Sequence, residues 1–325
     1  MKKHFKKLLL MALMAVMAVG LMACGTDKSD NESTKEEKTS VTITSLDASK
    51  NEIELEVPYN PKRIAILDLA CLDIIDELGV GDRVVGMAST SIGYLEKYSN
   101  DASIKNLGTI KEADLEAVME CEPDIIFIGG RLSKSYDALS EIAPVVYLAT
   151  DTNEGLVNSV SKNAKTIASI FGMEDKIDSL MSDFGARIDA IKKISSGKTA
   201  LVGMTTSGSF NLLGNDGRCS LIGVEAGFNN LTAVGSTSTH GNETSFETVV
   251  QQNPDYVFVM DRDSAISTAG AKTAKEIVEN ELVKTTDAYK NNHIIYLEHS
   301  NVWYTAEGGI QALDIMLTDL EKGLK

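Results

Sequence analysis

The sequence predicts an α/β protein of two Rossmann-like lobes joined by a single long helix. Three observations carry this prediction. Short apolar runs alternate with segments of helical period, the mark of parallel α/β units. A 14-residue stretch, Asp114 to Phe127, returns in a similar form as Ser245 to Phe258. Between the two copies, residues 174–194 have helical spacing, no proline and a single glycine, Gly185.

The elements follow in order. Ile64-Ala-Ile-Leu-Asp-Leu, after Pro61, reads as a strand, and Leu72 to Leu78 as a helix that stops at Gly79. Val84 to Met87 is a second short strand. Ala113 to Glu120 is helical, Asp124 to Ile128 is a buried strand, and Val145 to Leu148 is another. Leu156 to Ile194 is helical with a break at Phe171-Gly172-Met173, and the part after the break is expected to be one long helix. Thr199 to Met204 restarts the strands, and the alternation then runs to the end. Each copy of the repeat reads as a helix, a Pro-Asp turn and a buried strand, with Glu116 and Glu247 equally far ahead of Pro123 and Pro254. Two lobes of similar build would enclose a cleft, the usual place for a ligand.

The N-terminus has a different character. Lys2, Lys3, Lys6 and Lys7 precede an apolar run of 15 residues, Leu8 to Met22, too short to span a bilayer. Leu21-Met22-Ala23-Cys24-Gly25 resembles a lipobox, so Cys24 is the expected lipidation site. Thr26 to Ser40 consists of Ser, Thr, Asn, Asp, Glu and Lys with no large apolar residue, and cannot bury enough surface to offset its ordering entropy. The expected division is a signal peptide at 1–23, a disordered tether at 24–50, a first lobe at 51–173, the connecting helix at 174–196 and a second lobe at 197–325.

Composition narrows the function. Beyond residue 23 there are 27 basic residues against 47 acidic ones, which argues against a nucleic-acid partner. Cys71, Cys121 and Cys219 are widely spaced and read as small buried hydrophobes. No clustered metal motif and no nucleophile motif occurs, so a zinc receptor, a zinc hydrolase and other enzymes are not predicted. There are six Arg against 25 Lys. Arg131 and Arg262 follow the buried strands of the two repeat copies, and Arg218 lies in Leu213-Gly-Asn-Asp-Gly-Arg. Strand carboxyl ends face the crevice in α/β sheets, so three Arg there would suit a compact, oxygen-rich anion; three unrelated surface pairs would look the same in sequence. His240, in a polar loop, and Tyr304, expected at the end of the strand Ile294 to Leu297, offer imidazole and phenol donors suited to ferric iron.

Taken together, these stretches resemble a family. Asn106-Leu-Gly-Thr-Ile-Lys-Glu-Ala-Asp-Leu-Glu, Pro123-Asp-Ile-Ile-Phe-Ile-Gly-Gly-Arg, Ser238-Thr-His-Gly, Asn253-Pro-Asp-Tyr-Val-Phe-Val-Met-Asp-Arg-Asp and Val302-Trp-Tyr carry the resemblance, which runs from about Ile53 to Leu324. The chain resembles the iron-siderophore substrate-binding lipoproteins of ABC importers, and among them the catecholate and petrobactin binders. The resemblance implies a class III substrate-binding fold with little hinge motion and no intrinsic cofactor. It implies that Arg131, Arg218 and Arg262 hold an anionic Fe(III)-siderophore complex. It implies further that His240 and Tyr304 complete the iron shell of a tetradentate siderophore, and that Glu116 and Glu247 dock on the permease. The expected protein is a monomer, anchored through a lipid to the extracytoplasmic face of the cell membrane. A haem or hydroxamate-siderophore receptor is the alternative, followed by an extracytoplasmic enzyme and a surface adhesin.

Overall fold

The computed structural model describes residues 38–232 and 237–325. The predicted signal peptide, Cys24 and residues up to Glu37 lie outside the described residues. No helix among the described residues is long and apolar enough to cross a membrane.

The tether expected to reach residue 50 ends earlier, because Ser40–Leu46 forms strand β1. It pairs antiparallel with β2 (Glu52–Pro58) along its whole length. Alternation explains the difference: Ile43, Ser45 and Val57 face inward and are buried, while Thr42, Glu52, Glu54 and Glu56 are exposed.

The first lobe runs β3 (Ile64–Ile66), α1 (Leu69–Glu77), β4 (Val84–Met87), α2 (Glu96–Ser99), β5 (Lys105–Asn106), β6 (Gly108–Thr109) and β7 (Glu112–Ala113). It continues with α3 (Leu115–Glu120), β8 (Ile125–Ile128), α4 (Tyr136–Ser140) and β9 (Val145–Tyr147). Its sheet has the order β5-β4-β3-β8-β9, parallel throughout. Strands β3, β8 and β9 are buried on both faces, which is why they read as unbroken apolar runs.

Helix α5 (Leu156–Phe171) ends at Gly172, whose φ of +67° closes the helix in the left-handed region. The connecting segment expected as one helix is two, α6 (Glu174–Leu180) and α7 (Phe184–Ser195). The turn between them holds Ser182, whose hydroxyl donates to the Ser179 carbonyl at 2.9 Å. Such local side-chain bonds compete with helix continuation.

The second lobe holds β10 (Thr199–Thr206), β11 (Ser209–Leu212), α8 (Ser220–Gly223), β12 (Asn229–Asn230), β13 (Asn242–Glu243), α9 (Phe246–Gln252) and β14 (Tyr256–Asp261). Then come α10 (Arg262–Ala265), α11 (Ala274–Val278), α12 (Asp287–Lys290), β15 (Ile294–Tyr296), α13 (Ser300–Thr305) and α14 (Ile310–Gly323). Its sheet runs β13-β11-β10-β14-β15, with β12 also on β10.

The repeat is visible in the backbone. Asp114 and Ser245 each cap a helix, accepting from the amides of Ala117 and Thr248. Glu122 and Asn253 each take a left-handed φ, +44° and +40°, just before the proline. Asp124 accepts from the amides of Lys62 and Arg63, at 2.7 and 2.9 Å. Asp255 accepts from the amide and hydroxyl of Thr199, at 2.8 and 2.9 Å. Each aspartate thus ties its strand to the start of the neighbouring parallel strand.

The lobes share one core. A single buried cluster runs from Ile64 and Phe127 through α1, α5 and α14 to Val202 and Phe258. Helix α14 ties both halves together. Asp73 of α1 accepts from the amides of Gln311 and Ala312, both at 2.9 Å, and from the Tyr94 hydroxyl at 2.6 Å. It caps α14 from another element, and a Cβ on Gly309 would sit 2.4 Å from its carboxyl. Arg187 of α7 binds Asp314 at 2.6 Å and Glu321 at 2.7 Å on the same helix. Two bridges, 174–195 and α14, therefore join the lobes.

Candidate functional site

Four of the predicted residues meet at Tyr304. The Arg218, Arg262 and Arg131 guanidinium carbons lie 4.5, 5.6 and 5.7 Å from the centre of its ring. All are within cation–π range. Arg131 donates to the Tyr304 carbonyl at 2.8 Å, and Arg262 Nε donates to the Tyr304 hydroxyl at 3.1 Å. Arg218 donates to the Thr239 carbonyl at 2.7 Å, while its buried Nε has no hydrogen-bond partner among the described residues. The other three Arg serve the scaffold: Arg63 binds the carbonyls of Cys121 and Glu122, Arg83 binds Asn60, and Arg187 binds α14.

Tyr304 stands on α13, not at a strand end as expected, because β15 stops at Tyr296 and the chain turns into a helix. The helix is held by a buried carboxylate. Asp319 accepts from Trp303 Nε1 at 2.9 Å and from the His299 amide at 3.0 Å, and pairs with His299 Nδ1 at 2.8 Å. The aromatic pair is thus fixed against α14, and Tyr304 is turned into the cleft.

Carboxylates that sequence reasoning missed balance the cations. Asp68 caps α1 and lines the chamber with Arg131, Arg218 and Glu307. Burial pushes Asp68 and Glu307 above the ordinary carboxyl range, and Arg131 opposes this at both, joined by Arg218 at Glu307. Burial, with Arg218 beside it, draws Arg131 down from the ordinary guanidinium range. Arg262 pairs with Asp263 at 3.3 Å. Asp68 had a weak signal, as the polar end of an apolar strand motif; Glu307 had none.

His240 is exposed on the neighbouring loop, and its carbonyl accepts from Asn211 at 2.9 Å. Burial first, then the charges of Arg262, Arg218, Lys111 and Arg131, hold its imidazole below the ordinary histidine range. That keeps the neutral, donor form, which is the form that binds a metal. Glu116 and Glu247 are both exposed at the second position of their helices, α3 and α9. Cys71, Cys121 and Cys219 are free and buried.

The cleft holds a chamber of about 450 Å³ lined by Arg131, Arg218, Asp68, Tyr304 and Glu307. A second of about 450 Å³ adjoins it at Tyr304 and Thr305. Residues 64–300 match the model of the periplasmic binding protein family. The chain is 35% identical to the petrobactin-binding protein YclQ of Bacillus subtilis, over 98% of this chain and 99% of that one. The crystal structure of YclQ superposes with a TM-score of 0.81, covering 89% of this chain and 99% of that chain. The catecholate-siderophore binding protein VctP of Vibrio cholerae is 30% identical, with a TM-score of 0.78 over 87% of this chain and 100% of that one. The ferric-anguibactin-binding protein FatB of Vibrio anguillarum is 26% identical over 82% of this chain and 84% of its own.

Proposed function

The chain belongs to the periplasmic binding protein family, and we propose that it captures ferric siderophores of catecholate or mixed catecholate type and delivers them to the permease of an ABC importer. The observation that carries this reading is the set of three guanidinium groups around Tyr304. A ferric catecholate is a compact anion of up to about three charges, and charge-assisted hydrogen bonds contribute on the order of 1.5–3 kcal/mol each. Arg218 Nε, buried and unpartnered, is a donor waiting for an acceptor. The buried Asp68 and Glu307 reduce the net positive charge of the empty cleft, so ligand and carboxylates compete for the same guanidinium groups.

His240 and Tyr304 supply the last two iron donors when the siderophore offers four. The Tyr304 hydroxyl, already accepting from Arg262, keeps lone-pair density for a metal. Glu116 and Glu247, exposed at equivalent places in the repeat, are the proposed permease contacts. A lipid on Cys24 holds this monomeric receptor at the extracytoplasmic face of the cell membrane. The protein binds its ligand without turning it over.

Native mass spectrometry against a panel of ferric siderophores tests the reading. Retention of a ferric catecholate, recovered intact, is the expected result. Retention of haem or a ferric hydroxamate alone would overturn the catecholate assignment. For a tetradentate ferric catecholate, His240→Ala should shift the visible charge-transfer band; an unchanged band would remove His240 from the iron shell.

A further inference from the structure

The second chamber of the cleft differs in chemistry from the first. Its walls include Thr90, Ser91, Thr109, Lys111, Ile266 and Ser267. Among the described residues no acidic one lines it, whereas Asp68 and Glu307 line the chamber beside it. Lys111, at the tip of the β6–β7 hairpin, is the one charged residue among the described residues of its lining. The tip is braced: the Thr109 hydroxyl accepts from the amides of Lys111 and Glu112, at 3.2 and 3.1 Å. Among the described residues no carboxylate lies within ion-pair distance of the Lys111 ammonium, although eight other lysines have one. Lys111 and Thr109 of the first lobe line the chamber together with Ala265, Ile266 and Ser267 of the second. The floor is fixed between lobes, since Asn301 donates to the Ser91 carbonyl at 3.1 Å.

A lone ammonium among hydroxyl donors, with aliphatic walls beside it, selects a single oxyanion on a short carbon arm. A planar, doubly anionic catecholate is better served by the guanidinium forks next door. We propose that this chamber is a second subsite of the cleft, which takes a carboxylate-bearing arm of the ferric complex and uses Lys111 as its counter-charge. The proposal rests on the siderophore reading and narrows it to complexes with an anionic arm outside the iron shell.

The test uses the lipid-free mature chain and two ferric bis-catecholate complexes, identical except that one carries a free carboxylate and the other its carboxamide. Quenching of Trp303, the single tryptophan, reports affinity. The wild type should prefer the carboxylate about tenfold, as one charge-assisted contact predicts. Lys111→Gln should bring the ratio close to one, and Lys111→Arg should keep most of the preference. Equal affinities in the wild type, or an undiminished ratio in Lys111→Gln, would overturn the subsite alone. Binding of neither complex by the wild type would overturn the receptor reading and the subsite with it.

Discussion

The two copies of the repeat share a scaffold and differ in what they are tied to. In the second copy the ties stay inside the lobe. Arg262 binds Thr206 at 3.1 Å and Asp263 at 3.3 Å, and Asn253 exchanges hydrogen bonds with Asp287. In the first copy, Arg131 reaches across to the Tyr304 carbonyl, and the nearby Asp73 and Ser91 bind α14 and Asn301. The apolar faces differ as well. Leu115 of α3 is exposed, whereas its counterpart Phe246 stacks on Phe210 with ring centres 6.2 Å apart. A local motif can place a helix, a turn, a strand and an arginine, but the partners of that arginine are set by what the rest of the chain brings near.

The largest expected effect tests that difference. Arg131→Ala should weaken binding of a ferric catecholate on the order of 100-fold, through loss of a charged donor and of an interlobe bond. Arg262→Ala should cost less, about tenfold, because its own hydrogen bonds, to Tyr304 and Thr206, stay within the second lobe. Trp303 quenching would read both, and a reversed order would break the comparison.

Next is the latch on the first lobe. Asp73→Ala leaves two amides and the Tyr94 hydroxyl without their acceptor, and should cost about 2 kcal/mol in urea unfolding. Its pH dependence has a definite sign. Burial raises the Asp73 carboxyl from 3.8 to about 6, so the folded state holds this proton more tightly than the unfolded chain does. The stability that Asp73 contributes is full below about pH 4 and is lost as pH rises through about 6. The stability gap between wild type and Asp73→Asn should therefore be wider at pH 4 than at pH 7; a constant gap would show that the latch does not titrate.

The smallest effects compare the two strand ties. Asp124→Ala and Asp255→Ala should each cost about 1 kcal/mol, since each removes hydrogen bonds to a strand start. Asp255 should also carry an acid-side signature. The Thr199 amide holds its carboxyl below the usual range, so its contribution is present above about pH 4 and is lost as pH falls through the lowered value. Asp255→Asn should flatten the stability profile at the acid edge. A profile identical to the wild type would show that Asp255 does not titrate with folding.

Much of this was legible in the sequence because it is local. Buried parallel strands appear as Ile125-Ile-Phe-Ile and Tyr256-Val-Phe-Val, and Gly79 and Gly172 mark helix ends by the φ they alone take easily. The positions of Arg131 and Arg262 followed from the repeat. The break at Met181–Asp183 was missed because the residues there keep a helical polar pattern. Strand β1 was hidden beside a polar tether because half of its residues face solvent.

The sequence by itself determined the order of strands and helices, the doubling of the lobe and the few places where an arginine could serve a cleft. These depend on residues within a helical turn or a strand of one another. Only the tertiary structure decided that Tyr304 stands among all three guanidinium groups, that Asp68 and Glu307 lie beside them, that Asp73 caps a helix 237 positions on, and that Lys111 shares a chamber with Ile266 and Ser267. Such pairings come from the shared core that packs α1 and α14 together. Packing sums over many weak contacts, so no single residue type announces in advance which partner it will meet.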